Sequence, residues 1–74
     1  MQSGRYQVTS PTVAMFYEDN GLLTVRTVPV GAIITVDGAS SDNDRLIDVV
    51  WEGRKVMMFT RDLQTRAELD EASQ

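Results

Sequence analysis

The segment Leu46-Ile47-Asp48-Val49-Val50-Trp51-Glu52-Gly53-Arg54-Lys55-Val56-Met57-Met58-Phe59 constrains the fold more than any other part of the chain. Two apolar, β-branched runs flank a two-residue turn signal, Glu52-Gly53, which predicts a tight antiparallel hairpin. Asp48 is costly to bury, so its side of the strand faces solvent. Side chains alternate between faces, which sends Ile47, Val49 and Trp51 inward and leaves Leu46, Asp48 and Val50 outward. On the return strand Val56 and Met58 share one face and Met57 and Phe59 share the other. One of these pairs joins the outward side.

The same punctuation recurs along the chain. Arg5 to Thr9 alternates polar and apolar, Ser10-Pro11 interrupts it, and Thr12 to Tyr17 resumes an extended pattern. Glu18-Asp19-Asn20-Gly21 is a turn, because Asn-Gly tolerates positive φ, and Leu22 to Thr27 returns as its partner strand. Val28-Pro29-Val30-Gly31 bends the chain into Ala32 to Val36, and a polar loop follows from Asp37 to Asp44. Thr60-Arg61-Asp62-Leu63 reads as one helical turn capped by Thr60. A short closing strand and a polar tail complete the 74 residues. At this length one domain is expected, covering residues 1–67, with 68–74 as a disordered tail. The apolar share, 42 %, is enough for one core.

Several chemistries lose their usual carriers. The chain has no cysteine and no histidine, which removes disulfides, thiolate metal sites and the commonest general base and zinc ligand. Ser3, Ser10, Ser40, Ser41 and Ser73 have no histidine to activate them. The single lysine, Lys55, lies beside Arg54 at the hairpin turn. Asp37, Asp42, Asn43 and Asp44 offer oxygen ligands without calcium-loop spacing, so they read as a solvated turn. No catalytic residue, cofactor or metal ligand is therefore assigned. Net charge is −4 and the basic residues are scattered, which disfavours a nucleic-acid partner. No apolar run approaches membrane length, and the polar start lacks a secretory core, so the cytoplasm is the expected compartment.

From Val28 to about Ala67 the layout resembles the bacterial SH3-like domains: a bend before a strand, a variable loop, a tight hairpin, and one helical turn before the last strand. The resemblance implies a mainly β fold, a small SH3-like barrel of five to six antiparallel strands. Trp51 stands at the far end of its strand, and Thr60 and Leu63 fall where a peptide-binding member has proline and tyrosine, so the polyproline groove does not carry over.

The function expected is a non-catalytic protein–protein interaction or regulatory module, with another protein or a second copy of the chain as partner. The alternative is a structural accessory domain of a larger enzyme or assembly, and a nucleic-acid-binding small barrel stands third. The candidate surface is Leu46, Asp48, Val50 and Met57 on the outer face of the hairpin, with Tyr17, which stands beside Glu18 and Asp19 at a turn edge; a basic-peptide role for Tyr17 ranks below a core or incidental one. An apolar face around one carboxylate is costly to leave bare. It is expected to be covered by residues Arg5 to Phe16 folding across it, or by another molecule.

Overall fold

Alternating burial runs through nearly every strand. In the segment Leu46–Trp51, residues Ile47, Val49 and Trp51 are buried and Leu46, Asp48 and Val50 are exposed. The computed structural model describes residues 3–37 and 45–70. In chain order the elements are β1 (Gly4–Val8), β2 (Thr12–Tyr17), β3 (Leu23–Val28), β4 (Ile33–Val36), β5 (Leu46–Trp51), β6 (Arg54–Phe59), α1 (Thr60–Arg66) and β7 (Ala67–Leu69). All strands join one antiparallel sheet in the order β3-β2-β6-β5-β4-β1-β7.

Two expectations are corrected here. Among the described residues there are seven strands rather than five to six, and the sheet is open, since β3 and β7 end it without pairing to each other. The short final strand takes its place through tertiary pairing: Tyr6, Gln7 and Val8 pair with Leu69, Glu68 and Ala67. Gly4 makes this approach close, since a Cβ there would meet Leu69 Cδ1 at 3.0 Å, and its φ of 146° suits only glycine. The sheet thus runs to Leu69, past the boundary expected at 67.

The β5–β6 hairpin closes as the sequence demands. Trp51 pairs with Arg54 across Glu52 and Gly53, whose φ angles of 56° and 72° give the twist of a type I′ turn. The β2–β3 hairpin closes differently. Asn20 Oδ1 accepts a hydrogen bond from the Leu22 amide at 3.0 Å, and the Gly21 amide donates to the Glu18 carbonyl at 2.8 Å. This local side-chain bond is why an Asx residue stands there.

The inward residues of six strands form one core cluster with Leu63 of α1 and Ala67 of β7, including Val8, Ala14, Val28, Ile34, Val49 and Met58. Each Val, Leu or Ile fully removed from water contributes about 1.5–3 kcal/mol before entropy is counted. A seven-residue helix cannot cover the inner faces of six strands, so the sheet curls and buries them against one another. Helix α1 plugs the opening near β1, β6 and β7. It is tied down by Thr12 Oγ1 donating to Asp62 Oδ2 (3.0 Å), Arg66 Nη1 donating to the Pro11 carbonyl (3.2 Å), and the Thr9 amide donating to the Arg66 carbonyl (2.7 Å).

Thr60 does not cap the helix. The cap position is Phe59, with no side-chain bond, while Thr60 is 4 % exposed and its Oγ1 is buried without a hydrogen-bond partner among the described residues. The strand alternation explains the difference. Val56 and Met58 point inward, and one more step of period two carries Thr60 inward as well.

Candidate interaction surface

The outer face of the sheet is assembled from β3, β2, β6 and β5. Met57 is the outward residue at the centre of β6; it pairs with Asp48 of β5 on one side and Met15 of β2 on the other. Met15 in turn pairs with Val25 of β3. One row across the face therefore reads Val25, Met15, Met57, Asp48. Continuing the same registers, the row to one side reads Thr27, Val13, Phe59, Leu46, and the row to the other reads Leu23, Tyr17, Lys55, Val50.

The outward pair on β6 is thus Met57 and Phe59, not Val56 and Met58. Leu46, Asp48, Val50, Met57 and Tyr17 all lie on this one face. Tyr17, Leu23, Val25, Leu46, Val50 and Phe59 are each between 38 % and 66 % exposed. Met15 and Met57 are half-buried between them. A shallow depression of about 250 Å³ lies among Met15, Tyr17, Asp48, Lys55 and Met57.

Residues Arg5 to Phe16 do not fold across this face. They build β1 and β2, and β2 lies beside β6, so Met15 and Tyr17 enlarge the apolar surface instead of hiding it. The physical reason is backbone pairing: laid across the face, these strands would leave their amides and carbonyls facing side chains, whereas beside β6 and β4 they enter a ladder. Among the described residues no other segment covers the face. Lys55 Nζ approaches Asp48 Oδ2 at 4.0 Å, with both side chains mostly in water. Such a pair is worth at most about 1 kcal/mol. Its carboxylate remains accessible to a competing cation.

A second feature was not visible in the sequence. On the inner side, where the curled sheet opens, Arg26 lies over the Trp51 ring at 5.2 Å and Arg54 lies over Phe16 at 4.3 Å. Arg26 Nη1 also reaches Glu52 Oε1 at 3.8 Å. These residues, with Val56, line a cleft of about 270 Å³. Long side chains lay their stems and planar heads over aromatic core that would otherwise be wet. Trp51 is buried, as expected, and Arg26 forms part of its cover. The two arginines are distant in sequence; only strand register brings them together, so no motif announces them.

Among the described residues no group of three or more His, Cys, Asp or Glu could hold a metal ion. The acidic loop beyond Asp37 lies outside the described residues. Burial of Tyr6 raises its phenol above the ordinary 10.0 through desolvation. Among the described residues no helix is long and apolar enough to cross a membrane. No family model matches the chain, and no curated protein or solved structure matches it either.

Proposed function

We propose that this chain is a small non-catalytic interaction module that binds another protein through the outer face of β2, β6 and β5. The observation that carries the reading is the continuous apolar surface around Asp48, which no described residue covers, with Tyr17, Leu46, Val50 and Phe59 all substantially exposed. An exposed apolar patch of this kind on a small domain favours a partner. Asp48 beside Met57, and Glu18 and Asp19 beside Tyr17, suit a partner that presents apolar side chains flanked by a lysine or arginine. The charge at the centre penalises partners without that cation.

The finer reading of the fold is an SH3-like barrel, supported by connectivity: β1, a long hairpin, the meander β4-β5-β6, a helical turn, and β7 returning beside β1. Polyproline binding is not part of the proposal, because Trp51 ends its strand and lies buried beneath Arg26. Nucleic acid is also set aside. Arg26, Lys55 and Arg66 each stand by a carboxylate, and the net charge is −4.

The test is Val50→Glu, which places a second carboxylate on the face next to Asp48. Thermal stability should stay within about 0.5 kcal/mol, as at ordinary surface sites. A protein retained stoichiometrically by the unmodified chain from extracts of its host should be lost. Retention of the same protein by a folded Val50→Glu chain would show that binding uses another surface.

A further inference from the structure

We propose that two copies of this chain pair through their β3 edges, antiparallel and centred on Val25, to extend the sheet across a two-fold axis. This goes beyond the partner-binding reading and does not depend on it. The two edges of the open sheet differ in kind. β7 is three residues long and places an exposed Glu68 on its edge, which blunts it. β3 is six residues long, pairs with β2 without interruption from Val28 to Leu23, and carries one charge, Arg26. It has no proline and no bulge, so the devices that discourage edge pairing are nearly absent.

The ladder itself selects the register. The Glu18 amide donates to the Leu22 carbonyl at 2.9 Å, so Leu22 directs its backbone toward β2. In an antiparallel strand alternate residues do the same, so Thr24, Arg26 and Val28 bond β2 while Leu23, Val25 and Thr27 direct their amides and carbonyls outward. Pairing Val25 with Val25 sets Leu23 opposite Thr27 at both ends and forms about six new backbone hydrogen bonds. Sliding by one step of the alternation in one direction stacks Arg26 on Arg26. Sliding in the other direction loses a hydrogen-bonded pair to the Gly21 turn.

Charge favours the same register. In the Val25-centred pairing Arg26 of the second copy sits opposite Thr24, whose Oγ1 donates to Glu18 Oε2 at 2.8 Å. Each arginine therefore approaches the other copy's carboxylate rather than its guanidinium. On the outer side Val25 is brought against its counterpart and Leu23 against Thr27 of the other copy, both apolar side chains being more than half exposed in the single chain.

The absence of cysteine makes the test clean. Hydrogen-bonded antiparallel partners have Cα atoms about 5.5 Å apart, inside the range a disulfide spans. Val25→Cys should therefore convert to a covalent dimer under mild oxidation, whereas Arg26→Cys, whose copies lie diagonally about 8 Å apart, should convert at least tenfold more slowly. In sedimentation equilibrium the unmodified chain should double its 8.3 kDa mass as concentration rises. Val25→Lys should remain at single mass with an unchanged melting temperature, and Val50→Glu should still double. Equal cross-linking of the two cysteine variants would overturn the proposal, as would concentration-dependent doubling that survives Val25→Lys.

Discussion

The two hairpins of this domain have strands of equal length and similar apolar content, yet they meet solvent very differently. In β5–β6 every inward residue, Ile47, Val49, Trp51, Val56 and Met58, is buried. Of the inward residues of β3, Thr24, Arg26 and Val28, only Val28 is buried, while Leu23 and Val25 belong to the outer face. The difference comes from sheet order. β5 lies between β4 and β6, and β6 lies between β5 and β2, whereas among the described residues β3 has a neighbour on one side alone. Burial here follows the face first, since outward Leu46, Val50 and Phe59 stay exposed on central strands, and place in the sheet second, since the inward Thr24 and Arg26 of the edge strand are not buried. An apolar strand at an edge then becomes a surface to be explained.

The sharpest way to break that comparison is a pair of substitutions. Trp51→Ala should cost about 3–5 kcal/mol through lost burial and an unfilled cavity. Val25→Ala should change the stability of the single chain by no more than about 0.5 kcal/mol. Comparable losses in urea unfolding at low protein concentration would mean that β3 is part of the core after all.

A smaller effect sharpens it at the end of β6. Thr60 Oγ1 is buried without a partner among the described residues, so Thr60→Val removes a desolvated hydroxyl at nearly constant volume. A gain of about 1 kcal/mol is expected, since an unmet buried donor costs about 1–3 kcal/mol. A loss in chemical denaturation would mean that the hydroxyl is bonded in solution.

The smallest effect concerns the turn between β5 and β6. Glu52 holds φ at 56°, a conformation that asparagine tolerates better than glutamate. Glu52→Asn should therefore stabilise by roughly 0.5 kcal/mol, net of the weak Arg26 contact it gives up. A drop in melting temperature would rank the Arg26–Glu52 pair above the backbone strain.

Much of this architecture was legible because single residues set the phase. Asp48 alone told which side of β5 faces water, and Glu52-Gly53 told where the chain reverses. The outward Leu46 and Val50 followed from the same alternation, whereas the sharing of their face by Tyr17 follows only from the register of β2 against β6. What stayed hidden depends on pairing between distant segments. Nothing in either strand specifies that Met15 meets Met57, so the sequence left open whether Met57 and Phe59 face out and whether β1 and β2 cover the face or widen it. Arg26 over Trp51 and Arg54 over Phe16 were hidden for the same reason. Thr60 misled because its residue type favours a cap while the strand before it carries it inward. Leu69 had one bulky side chain and no period to advertise a strand.

The pairing of β1 with β7 has a consequence for how the domain can be built into other proteins. Because the two strands run antiparallel and Asp70 donates its amide to the Arg5 carbonyl at 2.7 Å, the chain leaves the sheet beside the point where it entered. A unit whose entry and exit lie side by side can be grafted into a surface loop of a host protein without prising that loop apart. It can also be recut: joining the ends with a few glycines and opening the chain at the Asn20-Gly21 turn would give a permuted order of strands with the same neighbours.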